Sequence, residues 1–273
     1  MFEYWYALPV VTVGCTLTIM GGVGGNVLCG PFFILVLQLP PHVAISTALV
    51  TEVFSMSSGV LGYARRRLID YRLVVLLAAA AAPAAVIGSW LSVRAPGALL
   101  RGIFGGAILV IATLLLRSAE SAETGQEPAS GFLGAGSRTL VDSLGRTYRY
   151  DVRSRLPLAT TSLAAGLGSG LIGIGGGELN TPFLAMRGVP IRVAAATAVA
   201  VMAVTVLAGA TTHVLLGEPL WRLTVWTIPG AMLGGQLGSF IAGRTPAHRL
   251  RQWLSWLFVV AGMTMLDRAL GGG

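Results

Sequence analysis

Two glycine-rich stretches contain the residues whose types and spacing are best suited to chemistry in this chain. Residues 22–31 read GVGGNVLCGP, and residues 173–182 read GIGGGELNTP. Both combine clustered glycines with polar residues, both have a proline at the last position, and both lie between strongly apolar stretches. We call them the first and second glycine motifs. Their repetition indicates that they serve a common purpose.

Each motif predicts a break between two helices. Glycine permits the backbone angles of such a break and the close approach of other groups. Short helices are predicted downstream, over residues 28–39 and 179–186, and their N-terminal N–H groups would point back at the break. A helix N-terminus has free donors and a partial positive charge, so it attracts anions. Two such ends converging from opposite faces would form an anion site near the bilayer midplane.

The candidate residues of this site follow from the motifs. The proposed substrate-binding residues are Gly24, Gly25, Asn26, Cys29, Gly175, Gly176, Gly177 and Asn180, together with Thr47 and Thr197, which occupy equivalent positions. The residues assigned to the architecture of the breaks are Gly22, Pro31, Gly173 and Pro182.

Close helix packing is the alternative explanation for the glycines. It suits residues 105–109 and 230–238 well, but it suits the motifs less well, because they repeat a proline and carry polar residues. The stretch GSGLIG at 168–173 fits the dinucleotide-binding pattern, yet it lies in an apolar segment without a βαβ unit, and no GK[ST] follows either motif. We therefore expect no nucleotide and no other cofactor.

Two acids stand out within apolar segments. Glu52 lies in the middle of one segment, and Glu178 directly follows the glycines of the second motif. A carboxylate at bilayer depth costs at least ~2.5 kcal/mol and is usually functional. Both are candidates for proton coupling, and the alternative is a structural acid that joins helices. His213 aligns with Tyr63 near the end of a segment, where we expect an interfacial residue.

The composition predicts a polytopic membrane protein. The 273 residues are 54% hydrophobic and only 11% charged, with a mean hydropathy of +0.76, whereas a soluble domain has about 25% charged residues. All 19 basic residues are arginines. Arginine-rich loops on the inner side of a membrane explain the net charge of +8, so we expect no nucleic-acid binding. The N-terminus has no basic region before its apolar run and is interpreted as the start of a span, not a cleaved signal.

Cysteine and histidine usage argues against two further classes of site. Both cysteines lie in apolar sequence and suggest no disulfide framework. The three histidines are dispersed, without the spacing of metal ligands and without a nucleophile–base pair. We expect no metal site and no enzymatic activity.

An internal repeat organises the chain. The two motifs align at an offset of about 150 residues, and GSWLSVRAPGALLR aligns with GSFIAGRTPAHRLR. The halves are residues 1–117 and 156–273, each with five apolar segments. The second segment of the first half, residues 27–39, would cover only about 20 Å, against about 30 Å of hydrocarbon. We therefore expect segments one and two of each half to be broken or re-entrant.

Arginine placement predicts that the halves are inverted. The loop after segment three holds Arg65, Arg66, Arg67 and Arg72, whereas its counterpart holds only Arg222. Equivalent loops of the two halves thus differ in arginine content, as expected if they lie on opposite sides of the membrane. This predicts an all-α membrane protein of two inverted repeats, with the central loop cytoplasmic and both termini outside. Residues 118–155 are predicted to be a polar linker that contains a small hairpin about the sequence DSLG.

The motifs resemble the TauE/SafE sulfite-exporter family of bacterial inner-membrane permeases. GIGGGELNTPFLAMRGVPIRVAAATAVAV is the closest stretch, and GVGGNVLCGPFFILVLQLPPHVAISTALV with GYARRRLIDYRL matches the first-half pattern. The resemblance covers both halves and omits the central loop. Asn26 in place of a third glycine, and Glu178 after the second set of glycines, depart from the usual pattern and leave the exact substrate open.

The resemblance implies secondary transport of small sulfur-containing anions, such as sulfite or an organosulfonate like sulfoacetate. A monovalent anion leaving a cell that is negative inside gains about 2.3 kcal/mol per 100 mV, so export by alternating access needs no coupled ion. Proton-coupled uptake of another small organic anion is the alternative. A carrier of cations or neutral solutes, and a membrane scaffold, remain competing classes. The expected partners are the lipid bilayer and the anion, and the sequence is compatible with a homo-oligomer.

Overall fold

Ten helices and one β-hairpin form the described part of the chain in the computed structural model, which covers residues 4–21, 24–123, 137–152, 155–173, 177–216, 219–241 and 247–270. The first half contains α1 (Ala7–Gly21), α2 (Asn26–Pro31), α3 (Pro41–Arg65), α4 (Tyr71–Arg94) and α5 (Gly97–Glu123). The hairpin consists of β1 (Ser137–Val141) and β2 (Thr147–Asp151). The second half contains α6 (Arg155–Ile172), α7 (Gly177–Met186), α8 (Ile191–Leu216), α9 (Trp221–Ile241) and α10 (Ala247–Leu270).

The predicted all-helical architecture is confirmed at this level, with five helices in each half. Three of them, α3, α4 and α8, are long and apolar enough to cross a membrane. Shorter apolar helical stretches cover residues 7–20, 27–36, 97–113 and 157–172. The last helix of the first half, α5, extends to Glu123.

Large apolar side chains cover much of the outer surface. Val75, Leu215, Trp256 and Met263 are all more than half exposed. Exposed apolar surface on this scale marks a face that contacts a membrane or a partner. Together with the apolar helices, it defines a multi-pass membrane protein.

Glycine contacts pack α6 directly onto α4. A Cβ on Gly166 would lie 2.2 Å from the carbonyl oxygen of Ala81, and one on Gly170 would lie 2.0 Å from that of Ala85. The Ser162 hydroxyl also donates to the carbonyl of Leu77. From one contacting pair to the next, the residue number increases on α4 and on α6 together, so the two helices run parallel. The same holds for α1 and α9, where Gly230 and Gly234 play the corresponding role.

The central pair of helices, α3 and α8, runs antiparallel. Ser46 near the start of α3 contacts His213 near the end of α8 at 3.1 Å. At the other end, Gly59 of α3 lies against Val199 near the start of α8. These two helices occupy corresponding places in the two halves, and α9 and α4 flank them on either side.

The central hairpin forms around the predicted DSLG turn. The Asp142 carboxylate accepts hydrogen bonds from the backbone N–H groups of Leu144 and Arg146, at 2.9 and 2.8 Å. Gly145 adopts a left-handed φ of 78°, which a residue without a Cβ permits. Asp142 therefore closes the turn with its side chain, as short polar residues commonly do.

The hairpin is docked on the end of the helix bundle that contains the arginine-rich loop. The N–H of Ser143 donates to the carbonyl of Arg66 at 3.0 Å. Asp70, which caps the start of α4, forms an ion pair with Arg138 and accepts a hydrogen bond from the Tyr150 hydroxyl at 2.9 Å. Tyr150 also belongs to a buried apolar cluster that includes Leu184 of α7. The linker is thus attached to the bundle by both polar and apolar contacts.

Burial raises the pKa of Asp70, but the hydrogen bonds from Arg138, from Tyr150 and from the N–H of Leu73 lower it by more, so the pKa lies below its usual value. The pKa of Tyr150 is raised, first by burial and then by the charge of Asp70. With both shifts, the Asp70 carboxyl stays charged and the Tyr150 phenol stays neutral over a wider pH range.

Candidate functional site

At the first glycine motif, the chain leaves the helical path between α1 and α2. Gly24 and Gly25 lie between these helices and are buried. The carbonyl of Gly25 accepts hydrogen bonds from the N–H groups of Leu28 and Cys29, at 3.3 and 3.2 Å. The break therefore lies within protein, as irregular backbone inside a membrane must.

Pro31 lies at the end of α2, and the helix continues beyond it as a π-helical segment, Phe32–Val36. Proline has no N–H to donate and its ring crowds the preceding turn, so a change of helical geometry beside it is expected. The motif's proline thus lies inside the short helix, downstream of the break itself.

At the second glycine motif, α6 ends at Ile172 and α7 begins at Gly177. Gly173, directly after α6, has a left-handed φ of 75°, which glycine adopts without strain. Asn180 and Thr181 are buried in the first half of α7, and Pro182 lies inside that helix. Both motifs therefore join a long helix to a short one.

Several of the proposed residues lie outside the described part of the chain. These are Gly22, Gly175 and Gly176, and also the side chains of Asn26 and Glu178. Gly177 is described only as the first residue of α7.

A cluster of two thiols and a hydroxyl lines the first break. Cys15 on α1 and Cys29 on α2 are neighbours, and the hydroxyl of Ser55 on α3 lies beside them, 3.7 Å from the position that a Cβ on Gly25 would take. A Cβ on Gly25 would lie only 2.8 Å from the Cys15 sulfur. We call Cys15, Cys29 and Ser55 the thiol cluster. Gly25 is needed here for close packing as well as for the break.

Glu52 lies at the middle of α3 and is 1% exposed. Its carboxyl is within electrostatic range of the Cys29 thiol, so it belongs to the surroundings of the first break. Its neighbour Thr51 contacts Thr227 of α9 at 2.6 Å. Glu52 therefore lies deep between helices, whereas Met202 occupies the equivalent position in the second half.

Thr47 and Thr197 bond to backbone groups. The hydroxyl of Thr197 accepts a hydrogen bond from the N–H of Asp70 at 3.1 Å. The hydroxyl of Thr47 accepts one from the N–H of Leu220 at 2.8 Å. These contacts lie towards opposite ends of the central helix pair, and each holds the connection that precedes α4 or α9.

His213 is fully buried among the helices, in the last turns of α8. One ring nitrogen contacts Ser46, and the other contacts the carbonyl of Gly170 at 3.1 Å. Tyr63, at the equivalent position, donates its hydroxyl to the carbonyl of Ile19 at 3.2 Å. His213 thus joins α8 to the end of α6, and Tyr63 joins α3 to the end of α1. Sequence position alone did not reveal these two contacts.

The stretch GSGLIG at 168–173 is part of a helix interface. All but its last residue belongs to α6, and Gly170 provides the contact with α4. This placement differs from the strand-to-helix turn of a dinucleotide site. Within the described residues, no group of three or more metal-ligating side chains is found.

The comparisons with known proteins give one family and several relatives. Residues 7–265 match the family described as "Sulfite exporter TauE/SafE". The chain is 28% identical over 253 residues to "Probable membrane transporter protein YunE" of Bacillus subtilis (strain 168), covering 90% of each chain. It is 27% identical over 273 residues to a "Probable membrane transporter protein" of Xylella fastidiosa (strain Temecula1 / ATCC 700964), covering 91% of this chain and 94% of the relative. No solved structure matches significantly.

The chain therefore belongs to the TauE/SafE family. It is a membrane transporter. The long helices α1 and α6 are each followed by a short helix, α2 or α7, and these two interruptions distinguish the fold from a simple bundle of membrane-spanning helices.

Proposed function

We propose that this chain exports small sulfur-containing anions, such as sulfite or an organosulfonate like sulfoacetate, across the bacterial inner membrane by alternating access. The observation that carries the proposal is the pair of helix interruptions, between α1 and α2 and between α6 and α7, in a chain of the sulfite-exporter family. In α2, the N–H groups of Val27, Leu28 and Cys29 donate to the carbonyls of Gly24 and Gly25, so in our proposal the free donors of the site are the first N–H groups of α7. They are suited to an anion that has left its hydration shell behind.

The antiparallel course of α3 and α8 supports an inverted relationship between the halves. Two equivalent helices related by a twofold axis in the membrane plane must run in opposite directions. The contact of Ser46 with His213 and that of Gly59 with Val199 agree with this. Inversion would present α2 and α7 to the site from opposite faces, which gives each face its own gate.

A re-entrant path for the short helices has similar support. Leu184 of α7 belongs to the same buried cluster as Leu158 at the start of α6 and Leu73 at the start of α4. In our proposal α6 enters from this end and α7 returns to it. With the arginine-rich loop and the docked hairpin on the cytoplasmic side, both termini lie outside.

The driving force for export is electrical. At roughly 150 mV, negative inside, a monovalent anion gains about 3.5 kcal/mol on leaving the cell. The test is flux of sulfite and sulfoacetate from proteoliposomes with an imposed potential and no pH gradient. We expect flux that follows the potential, and its absence under these conditions would overturn uncoupled export.

Asn180 offers a matched pair of variants for the site. It is buried in the first turns of α7. Asn180→Leu keeps the branched shape, with a larger volume, but removes the amide, and Asn180→Asp places a negative charge near the proposed anion. We expect both to reduce flux at least tenfold while the purified protein remains monodisperse. Full flux in the Asp variant would exclude Asn180 from the site.

Proton-coupled uptake is the second candidate, and the burial of Glu52 favours it. A buried carboxyl beside the first break is placed to take up a proton together with the substrate. The discriminating measurement is anion uptake driven by a pH gradient at zero potential. Uptake that disappears in Glu52→Gln would support this candidate over export.

A further inference from the structure

The two cysteines of the chain meet across the first break. Fourteen residues apart in sequence and on different helices, Cys15 and Cys29 are nevertheless neighbours. The Cys15 sulfur lies against Gly25, where a Cβ would be 2.8 Å from it, and Cys29 lies one helical turn further on, with its N–H donating to the Gly25 carbonyl at 3.2 Å. Both are free and buried, at 1% and 4% exposure. Because the chain contains only these two cysteines, any disulfide within a molecule must join α1 to α2.

The surroundings hold one partner of the pair in place. Cys15 is fixed between helices, because a Cβ on Gly234 of α9 would lie 2.6 Å from the Cys15 Cβ. Cys29 lies on α2, which is only six residues long and follows the break. A bond between the two sulfurs would therefore fix the position of α2 relative to the larger bundle.

We propose that Cys15 and Cys29 form a redox-convertible dithiol whose oxidation to a disulfide locks α2 against α1 and stops transport. The locking part of this inference rests on the proposed function, since it assumes that α2 moves during alternating access. The second motif has Leu179 and Asn180 near the position of Cys29 and no cysteine. The lock consequently acts on one half alone.

The chemistry requires a two-electron oxidant, for which a peroxide suffices. One thiolate attacks a peroxide oxygen, the O–O bond breaks, and a sulfenic acid and water form. The second sulfur then attacks the first, the S–O bond breaks, and hydroxide leaves with the thiol proton as water. In total, two thiols and one hydrogen peroxide give one disulfide and two waters. The bond requires the two sulfurs to lie about 2.05 Å apart, so its formation draws α2 towards α1.

The first experiment measures the bond itself. Purified protein is treated with hydrogen peroxide, denatured, alkylated with N-ethylmaleimide and weighed as the intact chain. We expect untreated protein to take two alkyl groups, and oxidised protein to take none and to be lighter by two hydrogens. The Cys15→Ala variant cannot form the bond and serves as the control. Two alkylatable thiols after peroxide treatment of the unmodified sequence would overturn the proposal.

The second experiment measures the lock in proteoliposomes. Sulfoacetate is the substrate, because sulfite itself cleaves disulfides. We expect oxidation to reduce flux at least tenfold and dithiothreitol to restore it, whereas the flux of Cys15→Ala, at whatever level, should be the same under both conditions. Unchanged flux in fully oxidised protein would overturn the lock. If reduced protein carries neither sulfoacetate nor sulfite, the proposed function fails, while the mass measurement still decides whether the dithiol forms a disulfide.

Discussion

Thr197 accepts, through its hydroxyl oxygen, a hydrogen bond from the backbone N–H of Asp70 at 3.1 Å. About 150 positions earlier, Thr47 does the same for the N–H of Leu220 at 2.8 Å. Each threonine thus supplies the acceptor for the connection that leads into the neighbouring helix, α4 or α9. The pairing is a side-chain counterpart of the repeat seen in the sequence.

Removal of either hydroxyl should destabilise the fold. Thr197→Val leaves the buried N–H of Asp70 without this acceptor, and we expect a loss of about 1–3 kcal/mol in the free energy of unfolding. Thr47→Val should cost less, because the N–H of Leu220 is only partly buried. Denaturation in detergent measures both, and the Thr→Ser variants should remain near the original stability. Equal stability of Thr197→Val and the unmodified chain would contradict this assignment.

Two glycines of α6 provide a matched test of helix packing. Gly170→Ala would place a Cβ 2.0 Å from the carbonyl oxygen of Ala85, whereas nothing lies within 4 Å of the Cβ position at Gly168. We expect Gly170→Ala to cost about 1–3 kcal/mol or more through overpacking. Gly168→Ala should be neutral or slightly stabilising, by up to about 1 kcal/mol. Thermal unfolding of the two variants side by side is the measurement, and a reversed order would contradict the α4–α6 interface.

The docking of the hairpin should depend on Asp70. Asp70→Asn removes the ion pair with Arg138 but preserves a good helix cap, so we expect the hairpin to be released and α4 to persist. Faster tryptic cleavage at Arg146 would report the release. Arg138→Met should have the same effect, and the double variant should add little, because one interaction is removed in each case.

The same contact should respond to pH in a defined direction. Because the pKa of Asp70 is lowered, its carboxylate stabilises the docked hairpin fully above the ordinary pKa of about 4. This stabilisation is lost as the pH falls through the lower pKa of the folded state. Because the pKa of Tyr150 is raised, its neutral phenol stabilises the docked hairpin fully below the ordinary pKa of about 10. This stabilisation is lost at higher pH. Tryptic cleavage is confined to a narrow pH range, so hydrogen exchange of the hairpin backbone, corrected for its intrinsic pH dependence, is the better measurement. Protection that rises below pH 4 would contradict the assignment.

Glu52 distinguishes the two transport modes. If export is driven by the potential alone, Glu52→Gln should leave potential-driven flux within about twofold, since the amide nearly matches the carboxyl in size. Abolished flux would assign Glu52 an essential part in the cycle, and loss of pH-driven uptake alone would identify it as the proton carrier. The Glu52→Asp variant controls for the presence of an acid at this depth.

Much of the architecture follows from local sequence. The glycines and the short apolar segment after them predicted a helix interruption in each half, because a helix over residues 27–39 would cover only about 20 Å and cannot cross about 30 Å of hydrocarbon. The DSLG turn predicted the hairpin, since Asp and Gly at a turn have a specific backbone chemistry. These features depend on residues that are neighbours in the chain.

What escaped prediction depends on contacts between distant segments. The meeting of Cys15 with Cys29 requires the break to bring α2 back against α1, which no spacing rule gives. The burial of His213 depends on Ser46 and on the carbonyl of Gly170 from two other helices. The π-helical turn after Pro31 likewise reflects how that proline is accommodated, and proline alone does not specify it.

The attached hairpin makes the molecule asymmetric, although its helices form a repeat. A carrier made of two equivalent halves would populate its inward-facing and outward-facing states equally. Here Arg138, Tyr150 and Ser143, in a hairpin that lies between the two aligned halves, hold one end of the bundle. In our proposal the resting population is therefore skewed towards the state in which that end is closed, which sets a preferred starting point for each round of transport.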